Sequence, residues 1–291
     1  MPYAIATDGT RIYYKDWGQG IPVALIHGWP LTADSFDDVA AALANRGFRA
    51  IAHDRRGFGR SDQPSEGYDY DTFADDVAAV IADAGIDEPV ALVGFSMGGG
   101  EVARFISRNP GRVSEAVLIG SVVPFLLKTD DHSDGVPRDV FDGIMNGIAA
   151  DRADFFRGFF KSFFGVSALS SPVSDAVLDD AWRQSMMAGL RPTLACVRAF
   201  SETDFRPDLA NFTMPTLVIH GVKDETVPID LTAREVAKAV PGARLIEYDD
   251  GAHGIFASHK KQLIGDLLDF LRDPTAEAKA DSSRPLTEPV H

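Results

Sequence analysis

An apolar run, a serine between glycines and an amphipathic segment follow one another in Val90-Ala-Leu-Val-Gly94-Phe95-Ser96-Met97-Gly98-Gly-Gly-Glu-Val-Ala-Arg-Phe-Ile-Ser107. This pattern predicts a buried strand, a tight turn and a helix, which is the context of a Gly-x-Ser-x-Gly nucleophile elbow. Gly94 and Gly98 carry no Cβ, so a serine on such a turn can hold its Oγ clear of its neighbours. The alternative interpretation is a plain Gly/Ser turn between two core elements.

The same alternation of strand and helix extends to both sides of this stretch. A hairpin is predicted around Asp8-Gly9-Thr10, and short apolar runs predict further strands, most of them followed by helical periodicity, at 23–27, 49–53, 115–119, 215–220 and 243–249. We therefore predict an α/β fold with a mostly parallel sheet and helices on both faces. In such a sheet, ligands bind outside the carboxyl ends of the strands.

A helical segment interrupts this alternation. The strand pattern disappears between residues 122 and 207, where two adjacent rows of phenylalanines recur at a spacing of four: Phe155, Phe159 and Phe163, and Phe156, Phe160 and Phe164. These rings either seat the segment on the core or line an apolar pocket. We predict a core of residues 1–121 and 208–272, a helical lid at 122–207 and a disordered tail at 273–291.

Composition limits the partners of the protein. The 43 Asp and Glu residues outnumber the 28 Lys and Arg residues, for a net charge of -15, which disfavours binding to nucleic acid or to anionic membranes. The single cysteine, Cys196, permits no internal disulfide. Because the first residues resemble no signal peptide and no apolar run is long enough to cross a membrane, a cytoplasmic location is expected.

Three residues from different parts of the chain have the chemistry of a catalytic triad. Ser96, Asp224 and His253 each follow a predicted strand, and the carboxyl ends of parallel strands share one edge of a sheet. A serine hydroxyl needs a base to take its proton, and the base needs an acid to hold its tautomer. Glu225 is the adjacent rival for the acid, and Asp249 and Asp250 are weaker rivals.

Two backbone amides are expected to bind the oxyanion that forms when the serine attacks. In an elbow of this kind they come from the residue after the nucleophile, here Met97, and from the loop after an earlier strand, here Trp29. Met97 also opens a helix whose positive end faces the developing charge. We expect the side chains of Trp29, Met97, Phe125 and Phe159 to contact the substrate.

Other motifs point to structure rather than to cofactors. The remaining histidines lack paired metal-ligand spacing, and the elbow lacks the Gly-x-Gly-x-x-Gly spacing of a dinucleotide site, so we expect neither a metal nor a cofactor. The loop Asp54-Arg55-Arg56-Gly57-Phe58-Gly59-Arg60-Ser61 has two interpretations. It is either an anion site or a hydrogen-bonded structural turn, and we favour the turn.

Over residues 3–272 the sequence resembles the α/β-hydrolase superfamily. The resemblance rests on His27-Gly28-Trp29-Pro30, on the arginine loop, on the Phe-Ser-Met-Gly-Gly-Gly-Glu elbow and on the order Ser96, Asp224, His253. More narrowly, the elbow and Gly-Trp-Pro resemble the cofactor-free bacterial haloperoxidases and aryl esterases, also called perhydrolases. Thr226 departs from this group, in which an apolar residue often follows the acid.

The resemblance implies a serine esterase acting on short-chain or aryl esters through an acyl-enzyme. It also implies that hydrogen peroxide replaces water in some members, which yields a peracid that oxidises halide without heme or metal. The alternatives are hydrolysis of a lactone or of a carbon–carbon bond, and a ligand receptor on the same fold. Neither the oligomeric state nor the physiological substrate follows from the sequence.

Overall fold

The computed structural model describes residues 2–271. An eight-stranded sheet with the order β1-β2-β4-β3-β5-β6-β7-β8 forms its centre. The strands are β1 (Tyr3–Ile5), β2 (Arg11–Gly18), β3 (Ile21–Ile26), β4 (Phe48–His53), β5 (Val90–Phe95), β6 (Val113–Ile119), β7 (Thr216–Gly221) and β8 (Arg244–Tyr248). Only β2 runs antiparallel to its neighbours, β1 and β4, so the predicted mostly parallel sheet with an antiparallel entry hairpin is confirmed.

The strand order reverses direction beside the elbow. The chain passes from β3 to β4 on one side and then crosses to β5 on the other side of β3, where Ile26 pairs with Gly94. Ligands of open α/β sheets bind at such a switch point, outside the carboxyl ends of the strands. The loop after β3 and the turn after β5 therefore lie next to each other at the place where a site is expected.

Helices connect the strands and cover both faces of the sheet. They are α1 (Asp37–Ala44), α2 (Tyr70–Asp83), α3 (Met97–Arg108), α4 (Arg138–Phe163), α5 (Asp175–Met187), α6 (Leu190–Glu202), α7 (Ala233–Ala239), α8 (Ile255–Ser258) and α9 (Lys260–Leu271). Helix α1 packs against α9, and α2 packs against α3. Right-handed crossovers in the observed strand order place these two pairs on opposite faces.

The helical segments that follow β7 and β8 are each divided in the structure. Thr232 has non-helical backbone angles and separates a 3₁₀ turn (Ile229–Leu231) from α7, and its hydroxyl donates to the Pro228 carbonyl at 2.8 Å. Likewise, His259 separates α8 from α9. Periodicity alone did not reveal these breaks because the apolar spacing continues through both of them.

The segment between β6 and β7 contains helices α4, α5 and α6. It contributes no strand to the described sheet. Helix α4 is kinked at Asp151, whose carboxylate accepts a hydrogen bond from the Asp154 N–H at 3.0 Å and so caps the second half of the helix. The phenylalanine rows lie on this second half, except for Phe164, which directly follows the last residue of α4. The tail predicted to be disordered, 273–291, lies outside the described residues.

Candidate active site

The elbow depends on glycines that allow close backbone contact. Ser96 has a φ of 54°, the one positive value of a non-glycine residue within 2–271. A Cβ on Gly94 would lie 2.5 Å from the Gly98 carbonyl oxygen, and a Cβ on Gly98 would lie 2.2 Å from the Ile26 carbonyl oxygen. Side chains at these two positions would push α3 away from the sheet, and the serine would lose its position at the strand end.

A second close approach brings the acid and the base together. A Cβ on Gly221 would lie 2.2 Å from the Gly251 carbonyl oxygen, and the same oxygen accepts the Lys223 N–H at 2.9 Å. The loop after β7, which carries Asp224, is thereby joined to the loop after β8, which carries His253. Both loops lie at the carboxyl edge of the sheet, as Ser96 does.

Ser96, His253 and Asp224 form a continuous hydrogen-bonded chain. The His253 Nε2 lies 2.8 Å from Ser96 Oγ, and the His253 Nδ1 lies 2.6 Å from Asp224 Oδ2. All three residues are buried, and the rings of Phe95 and Phe163 lie against the imidazole with centroid distances of 5.0 and 4.8 Å. This arrangement can take a proton from Ser96 and stabilise the imidazolium that results.

The environment of Asp224 keeps its carboxyl ionised. Burial alone would raise the pKa of Asp224, but the attraction of His253 and the hydrogen bonds from His220 and His253 hold this pKa well below its usual range. Its Oδ1 also accepts the backbone N–H groups of Thr226 and Val227, at 2.9 and 2.8 Å. An ionised acid at this position is what the base needs for its charged form.

Two amides next to Ser96 are suited to binding an oxyanion. Within residues 2–271, neither the Trp29 N–H nor the Met97 N–H donates to a protein acceptor, and the first amide of a helix has no intrahelical partner. A Cβ on Gly28 would lie 2.9 Å from Ser96 Cβ, so the chain at Trp29 runs directly past the nucleophile. Each such donor is worth about 3 kcal/mol to a tetrahedral transition state.

An apolar cavity of about 290 Å³ opens onto the serine and the histidine. Its walls are mostly aliphatic and aromatic and come from the ends of the strands and from helices α4 and α6. Glu225, which is exposed at the surface, is the one carboxylate among the described residues that line it. The lining side chains include Trp29, Leu126, Phe141, Ile144, Phe159 and Phe200. Such walls suit a neutral, apolar ligand group.

The comparisons with known proteins identify the family. Residues 21–260 match the model of the alpha/beta hydrolase fold family. This chain belongs to the α/β-hydrolase family.

The similar α/β-hydrolases are named as haloperoxidases or as esterases. A non-heme chloroperoxidase from Kitasatospora aureofaciens is 43% identical, over 93% of this chain and 99% of its own length. A bifunctional esterase/perhydrolase from Acinetobacter calcoaceticus is 40% identical, over 94% of this chain and all of its own length. The crystal structure of a bromoperoxidase from Bacillus anthracis superposes with a TM-score of 0.89 at 41% identity, covering 94% of this chain and 100% of that one. The resemblance to the haloperoxidase and esterase group is confirmed.

Two predicted pocket residues of this α/β-hydrolase lie elsewhere. The Phe125 ring stacks on His132 at 5.2 Å and lies beside the Arg206 guanidinium, while its neighbours Val122 and Leu126 line the cavity. The direction of the chain after β6 thus turns Phe125 away from the serine. The Met97 side chain is fully buried in the core and does not line the cavity either. The cavity therefore does not support the expectation that these two side chains contact the substrate, and that expectation stays a prediction. Trp29 and Phe159 do line the cavity.

The arginine loop is a buried structural turn, as favoured from the sequence. Arg55 pairs with Glu101, and Arg56 pairs with Asp76 and Asp8. The histidine spacing predicts no metal-ligating role for His220, yet its Nε2 lies 2.9 Å from the Val227 carbonyl oxygen and 3.2 Å from Asp224 Oδ2. Its position four residues before the acid, at the end of β7, was the available signal.

Two further observations concern the described residues alone. Within 2–271, no group of three or more His, Cys, Asp or Glu side chains is arranged to hold a metal ion. No helix in the same range is long and apolar enough to cross a membrane. The cytoplasmic location expected from the sequence stays a prediction.

Proposed function

We propose that this α/β-hydrolase is a serine carboxylesterase that cleaves small, neutral esters, with Ser96 as nucleophile, His253 as general base and acid, and Asp224 as the orienting acid. The observation that carries the proposal is the hydrogen-bonded chain of these three residues, of which Ser96 and His253 line an apolar cavity. The names of the similar esterases and haloperoxidases support the same chemistry.

The first half of the reaction forms an acyl-enzyme. Ser96 Oγ attacks the ester carbonyl carbon while its proton moves to His253 Nε2. The carbonyl oxygen becomes an oxyanion held by the Trp29 and Met97 N–H groups. When the tetrahedral intermediate collapses, the bond to the alcohol oxygen breaks and His253 returns the proton to the leaving alcohol.

The second half releases the acyl group to one of two nucleophiles. Water attack, with His253 again accepting the proton, regenerates Ser96 and releases a carboxylic acid. Attack by hydrogen peroxide instead releases a peracid, and a peracid oxidises halide after leaving the protein. The similarity to an esterase/perhydrolase and to non-heme chloroperoxidases supports this second outcome.

Turnover of a substrate panel tests the proposal. The panel holds aryl, alkyl and lactone esters, each assayed with and without peroxide, with acid and peracid measured separately. We expect many turnovers per enzyme on neutral aryl and short alkyl esters, and peracid only when peroxide is present. A single turnover, with no further release of product, would instead indicate a receptor. Selective turnover of lactones would mean that the substrates are lactones rather than open-chain esters.

A further inference from the structure

Three buried polar side chains next to the active site have no part in the triad. His27 follows β3, Arg55 follows β4 and Glu101 lies in α3, and each is at most 1% exposed. Burying a charged pair costs free energy that apolar residues of similar volume would avoid. Among the described residues, moreover, Glu101 Oε2 has no hydrogen-bond partner, and His53 Nε2 lies 3.8 Å from it.

The His27 ring is held in one tautomer. The backbone N–H of Arg55 donates to His27 Nε2 at 2.9 Å, so the ring proton must be on Nδ1, which donates to the Gly28 carbonyl oxygen at 2.9 Å. Burial and the nearby Arg55 charge lower the pKa of His27 well below its usual value, so the ring stays neutral. The Gly28 oxygen accepts a second hydrogen bond, from the Leu31 N–H at 3.0 Å.

This carbonyl fixes the direction of an oxyanion donor. The Gly28 C=O and the Trp29 N–H belong to the same planar trans peptide and point in opposite directions. Two donors that hold the oxygen on one side therefore hold the N–H on the other side.

Arg55 extends the connection to the second donor. Its Nη2 donates to the His27 carbonyl oxygen at 2.6 Å, and its guanidinium is hydrogen-bonded to the Glu101 carboxylate. Glu101 is on α3, four residues after Met97, so it lies one turn away from the amide at the helix start. A single guanidinium thus connects the loop that carries the Trp29 N–H with the helix that carries the Met97 N–H.

We propose that His27, Arg55 and Glu101 are positioning residues that hold the two amides of the oxyanion hole in fixed relation to each other. The inference rests on the proposed function, because it assumes that an oxyanion forms between these amides. It also explains why the charged pair of Arg55 and Glu101 is buried at a place where apolar side chains would cost less free energy.

The test compares His27→Leu, which removes the donor to Gly28, with His27→Asn, whose side-chain amide retains one near the Nδ1 position. For His27→Leu we expect kcat for a p-nitrophenyl ester to fall about 10²-fold with KM little changed, as for the loss of one oxyanion donor. The inhibition constant of a trifluoromethyl ketone, which forms an oxyanion on Ser96, should rise by the same factor. His27→Asn should restore most of both losses.

Asp76→Asn is the matched structural control. It breaks the buried pair between Arg56 and α2, and within 2–271 the Arg56 guanidinium donates to Asp8 and Asp76 but to neither His27 nor Glu101. The variant should therefore lower the free energy of unfolding and leave the inhibition constant unchanged. Where His27→Leu does not fold, Glu101→Gln replaces it, and the same parallel change in kcat and inhibition constant is expected.

The outcomes separate the two proposals. Folded His27 and Glu101 variants with wild-type kcat and inhibition constant would overturn the positioning role while the esterase proposal stands. A wild type that turns over no ester would overturn the proposed function. In that case, binding of the trifluoromethyl ketone, followed by ¹⁹F NMR, still compares the variants: equal affinities would overturn the positioning role as well.

Discussion

At the scale of single residues, the acid of the triad is the assignment with an immediate rival. Asp224 is buried and hydrogen-bonded to His253, whereas its neighbour Glu225 is exposed at the rim of the cavity. Adjacent side chains on the turn after β7 therefore face different surroundings. The structure favours the residue preferred from the sequence, and mutation can separate the two.

Asp224→Asn should lower kcat about 10⁴-fold, because His253 would then rest in the wrong tautomer. Glu225→Gln should change kcat for a neutral ester less than about twofold, because the imidazole nitrogens are hydrogen-bonded to Asp224 and Ser96. It should also improve kcat/KM for an anionic ester by removing a negative charge from the rim. Steady-state kinetics on p-nitrophenyl acetate and p-nitrophenyl hemisuccinate measure both effects, and the opposite order of kcat losses would transfer the role to Glu225.

Sequence reasoning worked best where topology alone brings residues together. Ser96, Asp224 and His253 are far apart in the chain, but each follows a parallel strand, and this placement suffices to predict that they meet. It could not predict the direction of Phe125, which depends on how the chain leaves β6, or the contact of His220 with Asp224. Both depend on loop geometry, which the periodicity of apolar residues in the sequence does not predict.

At the scale of elements, the strand, turn and helix around Ser96 depend on the absence of a Cβ at Gly98. Gly98→Ala should lower kcat/KM by about 10²-fold or more and reduce the free energy of unfolding, because the new Cβ would meet the Ile26 and His27 carbonyl oxygens. Gly143→Ala, on α4 where a Cβ meets nothing within 4 Å, is the control. It should stabilise the protein by about 0.5–1 kcal/mol and leave kcat/KM unchanged. Urea unfolding and ester kinetics on both variants check this, and equal activities would contradict the packing argument.

The second half of α4 is the element that limits the size of the cavity. Phe159 lines the cavity and lies against Trp29 at 5.6 Å, whereas Phe155, one turn earlier, stacks on Phe159 without lining it. Phe159→Ala should raise kcat/KM for p-nitrophenyl octanoate relative to the acetate by about tenfold, because the removed ring frees space for a longer chain. Phe155→Ala should leave this ratio unchanged. A shift of equal size in both variants would mean that the rings only seat the helix.

At the scale of the whole molecule, acidic side chains are held by arginines in many places, and this links stability to pH. The hydrogen bond from Arg56 holds the pKa of Asp8 well below its usual range, and Arg11 lowers the pKa of Asp62 in the same way. Burial acts with the opposite sign on Asp76, whose pKa is raised. Because these pKa shifts have opposite signs, the pH dependence of the total unfolding free energy does not isolate either effect. The pair of Asp8 and Arg56, measured by itself, gives a clear test.

Asp8→Asn should destabilise the protein at neutral pH, and this loss of unfolding free energy should become smaller as the pH falls. Since the carboxyl ionises at lower pH in the folded than in the unfolded protein, its contribution is complete above the unfolded pKa of about 3.9 and is lost as the pH falls through the folded pKa. The difference in unfolding free energy between wild type and variant should be constant from about pH 5 to 7 and shrink below about pH 4. Urea unfolding across this range is the measurement, and a difference that persists undiminished to pH 3 would refute the assignment.

The central claim is that Ser96 forms the covalent intermediate. Incubation with an organophosphate, followed by intact mass and peptide mapping, tests it directly. We predict one phosphoryl adduct per chain on the peptide that contains Ser96, with loss of esterase activity in the same proportion, and no adduct on a folded Ser96→Ala variant. An inactivating adduct on another residue, or steady ester turnover by Ser96→Ala, would contradict the account.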